Sequence, residues 1–236
     1  MTTLQMNLET RRDEFEAHFA LARALQDRMM LDSSLGSISL SVRHINAIKS
    51  GLLVHLYNVE EAIMTRIMQF LGVALGEADP RRWTEQSLRE WLRASIVSRT
   101  LDGNEDRRLD TVYNSSNLLL NQSIVGPQDL KKPSGTWNDK AIHTFASRMN
   151  VSFNLPEEMR RRIAASGEYG DKTPLEFLAD RRNAIAHGRK SFEDGASDLE
   201  LEKIRKIADI VLDYMTYTVD AFHDHVKREA HLVPVT

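Results

Sequence analysis

The chain of 236 residues contains no cysteine and no long apolar run. The missing cysteine excludes disulfide frameworks, thiolate zinc sites and cysteine nucleophiles. The longest apolar stretches, such as residues 51–57 (GLLVHLY) and 208–215 (ADIVLDYM), contain polar residues and are well short of the about 20 residues that cross a bilayer. The N-terminal residues also lack the apolar core of a signal peptide. We therefore expect a cytoplasmic protein with no membrane association.

The chain also lacks an excess of charge of one sign, since 31 basic and 34 acidic residues give a formal net charge of −3. A uniformly basic surface for nucleic acid is therefore excluded. Basic pairs and triplets remain, at Arg81-Arg82, Arg107-Arg108, Lys131-Lys132, Arg160 to Arg162, Arg181-Arg182 and Arg189-Lys190. A polyanionic partner would have to bind at a local patch.

What the sequence does contain is helical periodicity. Apolar residues recur every three or four positions over residues 11–31, 38–71 and 198–222, which is the pattern of amphipathic helices. Thr84 is a predicted N-cap for a helix over residues 85–99, and Asp198 is the predicted cap of the last helix. No strand pattern of comparable length occurs. The sequence predicts an all-α fold, a bundle of four to five long helices in a single domain over residues 1–236.

The middle of the chain, about residues 101–171, is predicted to be a smaller helical insertion beside the bundle. Its loop, SIVGPQDLKKPSGTW, is rich in proline and glycine. Asn138 or Asp139 is the expected start of one short helix, and Pro156 suits the first turn of another. The three tryptophans are expected to anchor the core, and the arginines of RRRIAA (residues 160–165) are expected to face solvent.

The stretch LEFLADRRNAIAHGRKSF (residues 175–192) places charge in an apolar stripe. At about 100° per residue, Leu175, Leu178, Arg182 and Ile185 fall in one narrow arc. Arg182 thus occupies a position where leucine is expected, and a guanidinium there needs a partner or a cleft because burying an unpaired charge is costly. Arg181 lies to one side and looks less constrained.

Asn183 and His187 stand four residues apart on the same helix and share a face. The asparagine amide can bond one imidazole nitrogen and fix the tautomer at the other. His187 also precedes the predicted glycine C-cap, Gly188, where the helix dipole favours the protonated imidazole. Taken alone, arginine and histidine at a helix end are ordinary capping residues. Arg182 on the apolar face, together with the Asn–His pair, favours a functional site.

An arginine, then a polar residue, then a histidine near the end of the penultimate long helix of an all-α bundle resembles the signature of the HEPN superfamily. Here the signature reads Arg182-Asn183-Ala184-Ile185-Ala186-His187. Two further segments resemble stand-alone bacterial HEPN proteins: LLVHLYNVEEAIM, which places Tyr57 and Glu61 on matching positions, and SGTWNDKAIHTFASRMNV.

The resemblance implies a metal-independent endoribonuclease without a cofactor, acting as a toxin or an anti-phage defence effector. It also implies a homodimer with the active site at the subunit interface, and an antitoxin or defence partner protein. His187 would act as base or acid, Arg182 would bind the scissile phosphate, and Asn183 would orient His187. Glu61 would hold Arg182 in place, although a solvated helix face beside Glu60 is an equal alternative.

The sequence leaves the register of the motif and the function open. Arg181 satisfies the looser spacing of the motif as well as Arg182 does. Some HEPN toxins carry a tyrosine two residues after the histidine as a site of modification, but Arg189 stands there, so that control is not carried over. A non-catalytic HEPN-like module that binds RNA or protein is the alternative function. His223, His225 and His231 lack the spacing of metal ligands and are expected to be solvated.

Overall fold

The computed structural model describes residues 2–31, 41–100, 104–121 and 124–234. Within these ranges the regular structure is helical, with two isolated β-bridges and no strand. The α-helices are α1 (Thr3–Leu31), α2 (Val42–Glu77), α3 (Glu85–Leu92), α4 (Glu105–Asn121), α5 (Asp139–Arg148), α6 (Glu157–Arg162), α7 (Pro174–Ala186) and α8 (Leu201–Lys227). The all-α fold class is confirmed.

Several helix boundaries differ from the predicted ones. α1 begins eight residues before Arg11, because Leu4 and Leu8 are buried and continue the apolar stripe. The predicted start of α2 at Ile38 lies outside the described residues, and α2 begins at Val42. Thr84 caps α3 as predicted, with its hydroxyl accepting from the Ser87 N–H, but the α-helix ends at Leu92 and continues as a π-helical turn.

The predicted cap at Asp198 is wrong. α8 begins three residues later, at Leu201, and the carbonyl of Glu200 accepts from the N–H groups of Lys203 and Ile204. The Asp198 carboxylate instead accepts hydrogen bonds from Arg181 at 2.7 and 2.5 Å. An ion pair with a distant residue has therefore replaced the local capping interaction.

The chain divides into two compact units. The first comprises the described parts of Met1–Ile63, Thr136–Asp139 and Leu155–Tyr217, and the second those of Met64–Gly135, Lys140–Asn154 and Thr218–Thr236. The segment predicted to be an insertion is therefore shared between the two units. The single-domain organisation with an insertion at residues 101–171 stays a prediction.

The first unit is built around apolar side chains of α1, α2, α7 and α8. Phe15, Leu56, Leu178, Ile204 and Val211 are all fully buried. These residues belong to the stripes that the periodicity predicted.

The connection from α7 to α8 is fastened to this core. Arg43 donates to Glu193 at 2.7 and 2.8 Å, and the buried Lys49 ammonium donates to the carbonyl of Leu199 at 2.6 Å. At Gly195 a Cβ would lie 2.6 Å from Ser50 and from Ile185, so only glycine permits this approach. These contacts hold the segment that follows the signature helix in a defined position.

The second unit contains Trp83 and Trp91, whose rings lie 5.7 Å apart. The Trp83 indole donates to the carbonyl of Leu75, and the Trp91 indole donates to Gln128. Trp137, in the first unit, is 1% exposed, so all three tryptophans are core residues as predicted.

The expectation that the C-terminal histidines are solvated is wrong for two of them. His225 and His231 are 5% and 4% exposed, and their rings lie 6.2 Å apart. Burial, followed by the charge of His231, lowers the pKa of His225 to about 4, so this imidazole is neutral at physiological pH. The carbonyl of His231 accepts from the Thr84 N–H and the Ser87 hydroxyl, and these bonds hold His231 and Leu232 in their buried positions.

Candidate functional site

α7 carries the signature residues, and its two ends are well defined. Thr173 and Glu176 form a reciprocal capping box at the start, with Pro174 in the first turn. The Thr173 hydroxyl also donates to Asp139 at 2.7 Å. At the other end Gly188 has φ +68°, a left-handed conformation that terminates the helix, as predicted. Both ends fix where the signature side chains project.

Arg182 lies half-buried on the ring of Tyr57. Its Cζ is 4.7 Å from the ring centroid, which is the geometry of a cation–π contact. Its Nη1 donates to the Asn183 side-chain oxygen at 3.2 Å, and its Nη2 lies 3.7 Å from a carboxylate oxygen of Glu61. The side chain is 27% exposed, so Arg182 is neither fully exposed to solvent nor buried in the core.

Tyr57, the aromatic side chain beneath Arg182, is itself fixed. It is fully buried, and its hydroxyl accepts from the main-chain N–H of Trp137 at 3.2 Å. Burial, and then the charge of Glu61, raises the pKa of Tyr57 to about 12, against the opposing effects of the Trp137 N–H and Arg182. Tyr57 is therefore protonated at neutral pH and offers a neutral aromatic face to the guanidinium.

The alternative of a solvated face at Glu60 and Glu61 does not describe this part of α2. Glu60 is fully buried, whereas the Glu61 side chain is 39% exposed and turned toward Arg182. Glu61 thus occupies the position expected of a residue that holds Arg182. The two neighbouring acids have separate environments because they are about 100° apart around the helix.

Asn183 is held by a residue that the sequence did not single out. Its amide donates to the hydroxyl of Thr136 at 3.2 Å, while its oxygen accepts from Arg182. In the described part of the chain no hydrogen bond joins the side chains of Asn183 and His187, so the predicted Asn–His pair is not formed. Thr136 lies in the segment SGTWNDKAIHTFASRMNV that carries part of the family resemblance, and that segment was the only signal that could have found it.

His187 is the C-cap residue of α7 and is exposed to solvent. Its backbone N–H bonds to the carbonyl of Asn183 at 3.0 Å. Five residues of helix separate Arg182 from His187, which corresponds to about 140° around the axis and about 7.5 Å along it. Within one chain the two side chains therefore start from different sides of the helix.

Arg181 is the more constrained of the two arginines, which corrects the sequence-based interpretation. It makes two hydrogen bonds to Asp198 and a third to the carbonyl of Gly195 at 3.1 Å, and it lies over the ring of Phe177 at 4.8 Å. The hydrogen bonds from Arg181 hold the pKa of Asp198 below its usual value, against burial. The guanidinium of Arg181 thus donates three hydrogen bonds to the connection after α7, whereas that of Arg182 donates one within the described residues.

These features define an all-α protein whose penultimate helix presents a half-buried arginine, a polar neighbour and an exposed histidine at its end. A family model described as HEPN_MAE_28990-like HEPN matches residues 1–231 of the chain. The chain therefore belongs to this HEPN family.

Neither a comparison with curated proteins nor one with solved structures yields a match. Membership in the family points to an RNA-related function. None of the helices in the described ranges is long and apolar enough to span a membrane.

Proposed function

We propose that this protein is a metal-independent endoribonuclease that cuts RNA as a homodimer. The observation that carries the proposal is the setting of Arg182, which is half-buried on an aromatic ring and makes a single hydrogen bond with the residues that the structure describes. A guanidinium carries five N–H donors in a planar fork that matches phosphate oxygens. The remaining donors of Arg182 suit a phosphodiester.

RNA supplies its own nucleophile. A base removes the proton of the 2′-hydroxyl, whose oxygen attacks the adjacent phosphorus and forms a phosphorane. The bond to the 5′-oxygen then breaks, and an acid protonates that oxygen. The products are a 2′,3′-cyclic phosphate and a free 5′-hydroxyl. Arg182 would stabilise the charge of the phosphorane, and His187 would act as base or acid.

The placement of these two residues supports the proposal of a dimer. One imidazole cannot act at once as the base at the 2′-hydroxyl and as the acid at the 5′-oxygen, so two copies of His187 divide the roles. Arg182 and His187 of one chain also start about 140° apart around α7. A two-fold axis beside the end of this helix would bring the second copy of each to the same phosphate.

The biological role proposed with this activity is that of a toxin or an anti-phage effector, restrained by an antitoxin or defence partner protein until it is needed. Growth of a bacterial host tests this directly. Induction of the parent should suppress growth, and His187→Ala should relieve the suppression at equal protein level. His143→Ala, which changes another exposed histidine, is the matched control and should remain toxic.

The purified protein tests the chemistry. In EDTA it should cut RNA and leave 2′,3′-cyclic phosphate ends, and His187→Ala should cut at least about 100-fold more slowly because a general base or acid is worth that much. Circular dichroism should show an unchanged helical fold. Cutting that stops in EDTA and returns with Mg²⁺ would contradict the proposal.

One observation favours a second candidate, a non-catalytic module that binds RNA or protein. In the described residues His187 has no side-chain hydrogen-bond partner to orient its ring, whereas catalytic histidines are commonly held by one. This candidate predicts that His187→Ala and Arg182→Ala bind RNA as the parent does, and that no protein in the series cuts it.

A further inference from the structure

A cation-lined cavity lies beside the signature helix in the first unit. It has a volume of about 510 Å³ and borders Phe177, Arg181 and Ala184 of α7. At 100° per residue these three residues lie about 100° to 160° around the helix from Arg182. The buried rings of Tyr169 and Phe177, 5.6 Å apart, form part of its wall.

The cavity carries a surplus of positive charge. Its cationic side chains are Lys172, Arg181, Arg189, Lys190 and Lys203, and its acidic ones are Glu168, Asp180 and Asp198. Two of the cations are neutralised within the wall, because Lys172 pairs with Asp180 and Arg181 with Asp198. The third acid, Glu168, pairs with Lys206 at 2.8 Å, which is not part of this wall.

Three cations remain without a carboxylate within ion-pair distance among the residues that the structure describes. The ammonium of Lys203 donates to the main-chain carbonyl of Glu168 at 2.8 Å and lies over the Tyr169 ring. Arg189 is exposed and Lys190 half-exposed, and the described part of the chain offers their side chains no hydrogen bond and no carboxylate within ion-pair distance, although the charge of Lys190 helps to lower the pKa of Asp198. The uncompensated positive charge of the cavity therefore lies on Lys203, Arg189 and Lys190, and the donors of the last two face no acceptor within the described residues.

These two residues follow the proposed catalytic histidine after a single glycine, Gly188. Consecutive Cα atoms are 3.8 Å apart, so the Cα atoms of Arg189 and Lys190 lie within about 8 and 11 Å of that of His187. Their position is fixed, since the Lys190 N–H bonds to the carbonyl of Ala184 at 2.9 Å and the segment beyond is anchored through Glu193, Gly195 and Leu199. The backbone that carries these two cations is thus held close to that of His187.

We infer that this cavity is a substrate subsite, in which Arg189 and Lys190 bind a phosphodiester of single-stranded RNA adjacent to the one that is cut. The inference rests on the proposed ribonuclease function, and it adds a location for the RNA strand beyond the phosphodiester that is cut. A charged subsite of this kind contributes to binding and register, because phosphate contacts position a strand without reading its bases. It does not contribute to the chemical step.

The test measures binding separately from cutting. A fluorescently labelled single-stranded RNA is titrated, in EDTA and over a series of salt concentrations, with His187→Ala protein and with the same protein carrying Arg189→Gln and Lys190→Gln. We expect the double change to raise the Kd about 10-fold or more at low salt. The slope of log affinity against log salt should become less steep by about 0.7 for each phosphate that the protein no longer neutralises.

Cutting gives an independent readout in the protein with an intact histidine. There the double change should raise KM about 10-fold and leave kcat within about twofold, because uniform binding is weakened while the transition-state contacts remain. The matched control is Arg160→Gln with Lys227→Gln, which removes one exposed arginine and one exposed lysine, neither of which lines the cavity. The control should bind and cut like its parent.

The outcomes separate the two proposals. If the parent binds and cuts RNA but the Arg189 and Lys190 changes match the control in Kd, salt slope and KM, the subsite is wrong and the ribonuclease proposal stands. If no protein of the series binds or cuts RNA, the ribonuclease proposal itself fails, and the subsite fails with it. A fall in kcat with unchanged KM would also contradict a binding role.

Discussion

The two sides of α7 carry neighbouring arginines in opposite situations. Arg181 makes hydrogen bonds to Asp198 and Gly195 and stacks on Phe177, so the protein itself uses its donors. Arg182 also stacks on an aromatic ring, that of Tyr57, but makes one hydrogen bond and lies 3.7 Å from Glu61. Both arginines are held in place, and only Arg182 keeps donors available for a ligand.

The difference shows that burial alone does not identify a functional arginine. Arg181 is the more buried, with 16% of its side chain exposed against 27% for Arg182. What distinguishes them is the partner. A bidentate carboxylate satisfies the fork of a guanidinium, whereas an aromatic face fixes its plane and leaves the N–H groups at its edge.

The largest effect is expected for Arg182→Ala. Cutting should fall about 100- to 1000-fold, the range seen when a donor to the charged transition state is removed. Stability should fall by only about 1 kcal/mol, because the cation–π interaction is the main one that the change removes. Measuring single-turnover cutting and urea unfolding on the same protein separates the two quantities. A loss of activity no greater than the loss of folded protein would remove Arg182 from the site.

Arg181→Ala should give the reverse pattern. We expect a loss of about 1–2 kcal/mol in the free energy of unfolding, because a half-exposed bidentate pair and a stacked guanidinium are removed together. Turnover at saturating RNA should stay within about threefold of the parent. If Arg181→Ala instead lowers turnover as much as Arg182→Ala, Arg182 is not the sole arginine of the motif, and the register that begins at Arg181 has to be considered.

The Arg181–Asp198 pair also predicts a pH dependence. Arg181 keeps the pKa of Asp198 below its usual value in the folded protein, so the pair stabilises the fold above about pH 4 and that stabilisation is lost as the pH falls. The stability difference between the parent and Arg181→Ala should therefore shrink below about pH 4. Urea unfolding at several pH values measures this difference. In Asp198→Asn, as in Arg181→Ala, the free energy of unfolding should depend less on pH in this range than it does in the parent.

The sequence predicted the buried stripes of the long helices and the place of Arg182 within one of them, because both depend on periodicity within one segment. Leu175, Leu178 and Ile185 are buried as the wheel predicts, and Arg182 lies among them. It was insufficient wherever a partner is distant in the chain. The Asp198–Arg181 pair, the Thr136 hydroxyl on Asn183 and the burial of His225 and His231 all depend on tertiary contacts that local spacing does not encode.

Two changes at Tyr57 show which part of this side chain supports Arg182. Tyr57→Phe keeps the ring but removes the acceptor of the Trp137 N–H, so stability should fall by about 1 kcal/mol while turnover stays near that of the parent. Tyr57→Leu removes the aromatic face as well, and turnover should fall about fivefold because Arg182 no longer has a cation–π interaction worth about 1 kcal/mol. Single-turnover cutting of the two variants makes the comparison. Equal losses for both would mean that the hydroxyl network through Trp137, and not the ring, positions the guanidinium.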